Sequence, residues 1–254
     1  MTPLARMTWY VGSIAVTGGL VALWQAAADH GGIPPVFLPG PDKAWHALVA
    51  GFENGPIAKV TAATIRRMVF GWALASMAGV VVGAFIGSSR QAREFIGPTL
   101  EMIRPVPVSA FMPIVIAFLG LSGDMVLVVV TIGAIWPVLL ATVHGVSSVE
   151  PRLVDVSRML QIGRLERLWK IALPNAHPDI LAGARLGLTV SLVLTVIGEM
   201  LTSENGLGYY ILLEGRSFHS ANLFAGVILL GAIGLVSNLT LQAVEARLLR
   251  WTRR

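Results

Sequence analysis

Residues 150–178 read EPRLVDVSRMLQIGRLERLWKIALPNAHP and interrupt a chain that is otherwise dominated by Leu, Val, Ile, Ala and Gly. Five side chains of this segment are basic: Arg152, Arg158, Arg164, Arg167 and Lys170. Long apolar stretches lie on both sides, so the segment is predicted to lie in water between two membrane spans. Because loops rich in Lys and Arg are retained on the cytoplasmic side, we expect it to face the cytoplasm.

The composition is that of an integral membrane protein. Of 254 residues, 55 % are hydrophobic and only 13 % are charged, whereas a soluble domain carries about a quarter charged residues. The basic residues cluster between apolar stretches, which favours membrane topology over nucleic-acid binding. The chain has no cysteine, and its five histidines show no pair at the spacing of metal ligands. We therefore predict no metal site and no nucleic-acid partner.

Six stretches are apolar and long enough to cross a bilayer, which takes about 20 residues. We predict an all-α integral membrane protein with one transmembrane domain over residues 1–254. The spans are predicted at about residues 9–28, 60–88, 95–119, 125–146, 180–201 and 223–249. A short helix at the membrane interface is predicted over residues 42–52. The first span is interpreted as retained, because its apolar run is too long for a signal-peptide core.

The distribution of Lys and Arg predicts the orientation. Twelve basic residues fall in the segments assigned to the inner side and five in those assigned to the outer side. The outer group includes Arg66 and Arg67, which we interpret as the place where the second span leaves the outer headgroups. Both termini are therefore predicted to be cytoplasmic.

Two features within the spans are informative about packing. Small residues recur every four positions along the second span, at Gly71, Ala75, Gly79, Gly83 and Gly87. Such a ridge predicts the close approach of a neighbouring helix. Four prolines interrupt the third span, which predicts a short helix near residues 95–103, a break at 104–107 and a membrane helix to residue 119.

The charged segment itself predicts two short amphipathic helices over residues 150–171, broken near 161–164. Leu153, Val156 and Leu160 share one side of the first helix. Leu173-Pro174 is expected to end the second helix and to re-enter the membrane. A solvated connector is the alternative, but about two residues suffice to join two spans. A folded amphipathic projection is better explained as a surface that inserts into a groove of a partner.

The stretch DVSRMLQIGRLERLWKIALP resembles the cytoplasmic loop motif of ABC-importer permeases, in which Glu-Ala-Ala is followed by a glycine four residues on and by a closing Leu-Pro. Asp155, Val156 and Ser157 stand in the Glu-Ala-Ala places, and Leu173-Pro174 matches. The glycine place holds Gln161, with Gly163 two residues later. The stretches IRPVP (103–107), IGEML (197–201) and GLGYYI (206–211) follow the order of the nitrate/sulfonate/taurine branch, so the resemblance covers about residues 64–251.

The resemblance implies a type I ABC-importer permease fold in the inner (cytoplasmic) membrane. Two permease copies would form the pathway, two ATPase subunits would bind ATP and Mg, and a periplasmic or lipid-anchored solute-binding protein would deliver a small anion such as a sulfonate, taurine or nitrate. The chain has no G-x-x-x-x-G-K-[ST] phosphate loop. We therefore predict a transport subunit without an ATPase site or cofactor of its own.

The same resemblance implies that the region 150–174 couples the permease to the ATPase. Asp155 and Arg158 would orient the first helix, and Leu153, Val156 and Leu160 would fill the groove of the ATPase. Because Gln161 replaces glycine, we expect the first helix to run longer before it breaks. The coupling set is Leu153, Asp155, Val156, Ser157, Arg158, Leu160, Gln161, Gly163, Leu173 and Pro174.

Polar residues at membrane depth are candidates for the translocation path or its gate: Arg104, Ser109, Ser191, Thr195 and Glu199. A carboxylate in hydrocarbon costs at least ~2.5 kcal/mol, so Glu199 either pairs with or caps another helix, or borders the path. Arg104 has the same two alternatives, and its charge suits an anion. The hydroxyls, with that of Thr131, either face the lumen or bond to their own helices.

Two other classes of protein remain as alternatives. A secondary transporter or channel predicts an inverted repeat or several paired ionisable residues within the spans. An intramembrane enzyme needs a nucleophile with a base, or metal ligands, at membrane depth. Neither pattern is evident in the sequence, which favours transport driven by a separate ATPase.

Overall fold

A computed structural model describes residues 3–30, 32 and 34–249, the side chains of residues 3–11 and 14 excepted, and these residues are helical or in short turns. The remainder, including the C-terminal arginines Arg250, Arg253 and Arg254, lies outside the described residues. The helices, in chain order, are α1 Pro3–His30, α2 Pro41–Glu53, α3 Ile57–Ser88, α4 Arg90–Ile103, α5 Met112–Leu119, α6 Gly123–Ser147, α7 Pro151–Met159, α8 Arg164–Arg167, α9 Leu173–Thr202, α10 Leu207–Arg216 and α11 Ser220–Leu248.

Four helical stretches of the described residues are long and apolar enough to cross a membrane: α3, α6, the continuous stretch Arg164–Thr202, and α11. The pair formed by α4 and the segment Val108–Leu119, bent by 85°, makes a fifth if it counts as one broken span. Helix α1 has 28 residues but is not among them. The all-α, multi-pass architecture is confirmed, whereas the count of six spans and the orientation of the termini stay predictions.

The predicted ridge of small residues packs α3 against α6. A Cβ atom built on Gly71 would lie 2.5 Å from Val130, and one on Gly83 would lie 2.7 Å from Thr142. Ala75, between them on the ridge, is fully buried. Since no side chain larger than a methyl group fits along this line, the ridge sets the close distance between the two helices.

Helix α9 approaches α6 in the same way. A Cβ atom on Gly183 would lie 2.7 Å from the Pro137 carbonyl oxygen, and one on Gly198 would lie 2.7 Å from Val126. The side chain of Leu194 fills the space beside Gly133 of α6. Helix α6 is therefore held between α3 and α9 at the centre of the bundle.

The predicted break after residue 103 is present, and the helix before it starts earlier than predicted. Helix α4 begins at Arg90 because the Ser89 hydroxyl accepts a hydrogen bond from the backbone N–H of Ala92 at 3.3 Å. It ends at Ile103, and a 3₁₀ turn, Val108–Phe111, leads into α5. The prolines at positions 105 and 107 lack the N–H groups that would have continued α4.

The predicted end of the second amphipathic helix at Leu173-Pro174 was wrong. Leu173-Pro174 does not separate two helices, because α8, a π-helical turn at Leu168–Ala172 and α9 form one continuous stretch of 39 residues. The widened π turn immediately before Pro174 accommodates the missing N–H and the proline ring. The connection between the spans predicted at 180–201 and 223–249 contains a helix, α10. The predicted short helix near residues 42–52 is present as α2.

Candidate coupling surface and buried ion cluster

Helix α7 ends in a tight turn that is closed by backbone hydrogen bonds. The N–H of Gln161 donates to the Arg158 carbonyl at 3.0 Å, and the N–H of Ile162 donates to the Ser157 carbonyl at 2.9 Å. Gln161 has φ +53°, the left-handed conformation that usually falls to glycine at this position of a helix end. The expectation of a longer first helix is therefore wrong, because Gln161 adopts the glycine conformation itself.

The helices α7 and α8 present large apolar side chains to the outside. Leu160 is 68 % exposed and Leu165 is 70 % exposed. We call the exposed apolar set of these two helices and the adjoining turn the docking surface; it consists of Leu153, Val156, Met159, Leu160, Leu165 and Trp169. Exposed apolar patches of this kind are typical of protein–protein or membrane interaction sites.

The charged residues around the docking surface pair locally and weakly. Asp155 and Arg158 form an ion pair at 3.2 Å on α7, and Glu166 and Lys170 form one at 2.7 Å across the start of the second helix. All four side chains are largely exposed, so each pair contributes about 0–1 kcal/mol. We call residues 150–171, which hold α7, the tight turn and α8, the hairpin. These ion pairs support its shape and leave its charges accessible.

The remaining predicted coupling residues have smaller roles in this geometry. Ser157 is buried and donates a hydrogen bond to the Val154 carbonyl at 2.6 Å. A Cβ atom on Gly163 would meet nothing within 4 Å, so no steric reason requires glycine there. Leu173 and Pro174 lie at the base of the hairpin, inside the continuous helix.

The hairpin is anchored to the bundle at this base. Ala172 and Ala176 pack against Val146 and Ala84, and the Asn175 amide donates to the Gly145 carbonyl at 3.2 Å. The 39 residues of Arg164–Thr202 span about 58 Å at 1.5 Å per residue. One helix therefore runs from the docking surface to the opposite end of the bundle.

At that opposite end Glu199 is fully buried and its carboxylate is bonded on every side. It accepts hydrogen bonds from the Thr64 hydroxyl at 2.8 Å and from the Gly208 backbone N–H at 3.0 Å. Arg67 contributes an ion pair at 2.8 Å. The carboxylate thus joins α9 to α3 and caps the N-terminus of α10.

Arg67 extends this ion cluster, which we define as Thr64, Arg67, Glu199 and Glu204. Its guanidinium also pairs with Glu204 at 2.9 Å and donates to the Asn205 carbonyl at 2.8 Å. The Thr64 hydroxyl accepts the N–H of Leu207 at 2.8 Å. Because each buried polar group has partners, the cluster fixes three helices against one another.

The glycines of the GLGYYI stretch are required by this arrangement. A Cβ atom on Gly206 would lie 2.1 Å from the carboxyl carbon of Glu199, and one on Gly208 would lie 2.3 Å from the Val196 carbonyl oxygen. The stretch therefore approaches α9 more closely than any other residue type permits.

Of the two alternatives for Glu199, the structure shows the first: it pairs with one helix and caps another. Whether Glu199 also borders the translocation path stays a prediction. Two of the predicted hydroxyls bond to their own helix, Ser191 to the Gly187 carbonyl at 2.8 Å and Thr131 to the Leu127 carbonyl at 2.7 Å. The Thr195 hydroxyl is buried and has no hydrogen-bond partner among the described residues. Ser109 and Arg104 are exposed, near the break of the third span.

Sequence reasoning missed Arg67 and Thr64. Arg67 was assigned to the outer headgroups, although an arginine in one span and a glutamate in another are a signal for pairing at membrane depth. No group of three or more His, Cys, Asp or Glu side chains able to hold a metal occurs within the part of the chain that the structure describes.

The described residues thus form a multi-pass helical bundle with an exposed amphipathic segment that is continuous with one of its long helices. The chain belongs to the family of binding-protein-dependent transport system inner membrane components, whose model matches residues 75–254. This family match and the relatives described next confirm the predicted resemblance to ABC-importer permeases of the sulfonate, taurine and nitrate branch.

The chain is 29 % identical to the taurine transport system permease protein TauC of Escherichia coli (strain K12), over 98 % of this chain and 92 % of that protein. It is 28 % identical to SsuC of Bacillus subtilis (strain 168), named as an aliphatic sulfonates transport permease, over 97 % and 89 %. It is 27 % identical to the nitrate import permease protein NrtB of Leptolyngbya laminosa, over 90 % and 84 %.

A solved structure has the same fold. The chain aligns with the MetNI methionine ABC transporter in an inward-facing conformation with a TM-score of 0.57 and 17 % identity, over 84 % of this chain and 95 % of that one. The likeness supports the type I importer permease fold.

Proposed function

We propose that this chain forms the transmembrane pathway of an ATP-driven importer for a small anion of the sulfonate, taurine or nitrate type. The named relatives carry aliphatic sulfonates, taurine and nitrate, which share an anionic group. The observation that carries the proposal is the docking surface, because an exposed apolar hairpin continuous with a long membrane helix suits a subunit driven by a partner.

The complete transporter consists of two copies of this chain, two ATP-binding-cassette ATPase subunits and a periplasmic or lipid-anchored solute-binding protein. The chain lacks a phosphate loop, so ATP and Mg bind to the ATPase subunits. The docking surface faces the cytoplasm in this proposal, which places both termini on the inner side of the membrane and the ion cluster toward the outer side.

The mechanism follows from the continuous helix. Closure of the two ATPase subunits around ATP displaces the docking surface, and the stretch Arg164–Thr202 carries the displacement through the membrane. The ion cluster makes α3 and α10 follow the end of this helix. Access to the pathway then alternates between the two sides of the membrane as these helices rotate against their counterparts in the second copy.

The test is Leu160→Asp in the permease co-expressed with its ATPase. A carboxylate at this 68 % exposed position leaves the fold intact, but it cannot enter an apolar groove. We expect the variant to reach the membrane at the wild-type level and to lose co-purification with the ATPase. The matched control is Gln91→Asp, which adds the same charge at an exposed position of α4 and retains the ATPase.

Transport by the reconstituted complex tests the rest of the proposal. Vesicles that contain the wild-type complex and the binding protein should accumulate taurine, ethanesulfonate or nitrate only when ATP is present. Equal assembly and transport by Leu160→Asp would contradict the role of the docking surface. Uptake without ATP would favour the alternative of a secondary transporter or channel.

A further inference from the structure

The break in the third span lies at mid-depth in the bundle. Val108, which follows the break, packs against Gly133 of α6, and its methyl carbons are 3.4 Å from a Cβ atom built there. Gly133 lies ten residues, or about 15 Å, from the start of α6, and the hydrocarbon core is about 30 Å thick. Val108, directly after the break, is therefore held beside the middle of α6, a helix long enough to cross the membrane.

This break is not covered by its own chain. Residues 101–107 are all exposed, and prolines at positions 105 and 107 remove two backbone donors. Non-helical backbone at this depth does not face lipid; it is buried in protein or lines a water-filled cavity. Broken helices near the midplane are also where transporters bind their substrates.

Arg104 stands at the start of the break with a free positive charge. It forms no ion pair within residues 34–249, although Glu101 precedes it by three positions. Two other arginines of the long helices differ from Arg104: Arg67 pairs with Glu199 and Glu204, and Arg185 pairs with Glu245. An unpaired guanidinium in hydrocarbon costs several kcal/mol, which again excludes a lipid-facing position.

We propose that residues 104–109 line an aqueous pathway and that Arg104 is a specificity-determining residue, which concentrates anions at mid-depth. The proposal rests on the transport function proposed above and names the residue that selects the charge of the solute. The buried carboxylate of Glu199 does not oppose this role, because Arg67 and Thr64 already occupy it. The Ser109 hydroxyl is exposed close to the same break and adds a neutral donor.

Single-cysteine labelling tests whether the site contains water, since the chain has no native cysteine. Ser109→Cys in the full complex, in membrane vesicles, is treated with the membrane-impermeant anionic reagent sulfonatoethyl methanethiosulfonate and with its cationic trimethylammonium analogue. We expect both reagents to label Ser109→Cys. The control is Leu235→Cys, at a position that is also exposed, near the middle of the regular helix α11; it should react at least tenfold more slowly.

The charge of Arg104 is tested by the ratio of the two labelling rates. A cleft with one sign of charge raises the local concentration of counter-ions about tenfold or more. The ratio of anionic to cationic labelling at Ser109→Cys should therefore fall about tenfold when Arg104→Gln is added, and Arg104→Lys should restore it. Arg66→Gln, which removes an exposed arginine of α3, should leave the ratio unchanged.

The outcomes separate this proposal from the proposed function. Failure of both reagents to label Ser109→Cys overturns the aqueous pathway, even if the wild-type complex imports anions with ATP. An unchanged ratio in Arg104→Gln overturns the role of Arg104 and leaves the pathway in place. Labelling with the expected ratio, in a complex that shows no ATP-driven uptake of taurine, ethanesulfonate or nitrate, supports the anion site and contradicts the proposed function.

Discussion

The two ends of the continuous helix Arg164–Thr202 are built in opposite ways. At the docking surface large apolar side chains are exposed, and the ion pairs beside them are weak and exposed to water. At the ion cluster Glu199 and Thr64 are fully buried, and their polar atoms are all bonded. One end is thus suited to binding a partner, whereas the other holds helices of the same chain in fixed positions.

The largest effect is expected from Arg67→Ala. It leaves the buried Glu199 carboxylate without its counter-charge, which costs about 3–5 kcal/mol. The control is Arg66→Ala, at the adjacent exposed position, which should change stability by about 0.5 kcal/mol or less. Thermal unfolding of the purified complex measures both, and equal midpoints for the two variants would show that the cluster does not stabilise the bundle.

The next largest effect is expected at a glycine of the ion-cluster end of the helix, and a glycine near the docking surface serves as its comparison. Gly206→Ala places a methyl group against the Glu199 carboxyl and should destabilise the protein by about 1–3 kcal/mol. Gly163→Ala at the coupling end meets open space and should change stability by less than about 0.5 kcal/mol. Thermal unfolding of the purified complex measures both variants. A larger loss of stability in Gly163→Ala than in Gly206→Ala would contradict the tight packing at the ion cluster.

Gln161→Gly should modestly stabilise the tight turn that follows α7. Glycine adopts the left-handed conformation without strain, and for other residues it costs roughly 1–2 kcal/mol; the greater freedom of glycine in the unfolded chain offsets part of the gain. We expect slower hydrogen exchange at the amides of Gln161 and Ile162, which close the turn. Gln161→Val should speed that exchange, because a branched side chain disfavours positive φ; the opposite order would contradict the turn geometry.

The smallest effect is expected from Thr195→Val. The threonine hydroxyl is buried and has no hydrogen-bond partner in the described part of the chain, so replacing it with a methyl group should leave stability unchanged or raise it by about 1 kcal/mol. Ser191→Ala, which removes a hydroxyl bonded to the Gly187 carbonyl, should not be stabilising. A loss of transport in a fully stable Thr195→Val would support the predicted place of this hydroxyl on the translocation path, whereas a loss of stability would contradict the structure.

The sequence predicted the features that depend on local pattern. The ridge from Gly71 to Gly87 follows the helical period, so its packing against a neighbouring helix could be read directly. The break at residues 104–107 follows from prolines, which lack the N–H that a helix requires. The hairpin over residues 150–171 was predictable because its apolar and charged residues separate onto different sides.

The features that join distant positions, or that depart from the helical period and from residue preferences, were not predicted. Arg67 and Glu199 are 132 positions apart, so nothing local relates the two. The continuity of α8 and α9 past Pro174 depends on a π turn, which departs from the helical period used to predict helices. Gln161 was judged from the intrinsic preference of its residue type, whereas the two closing hydrogen bonds of the turn determine its conformation.

Because the stretch Arg164–Thr202 is long, a small tilt of this helix displaces both of its ends. With 39 residues, a tilt of about 5° around its midpoint moves each end by roughly 2.5 Å, since a straight helix of this size extends about 29 Å on either side of its centre. In the proposed mechanism, a displacement of the docking surface by less than one helical turn is therefore accompanied by one of similar size, in the opposite direction, at the ion cluster. Because the ion cluster joins α3 and α10 to that end of the helix, the same tilt would displace all three helices.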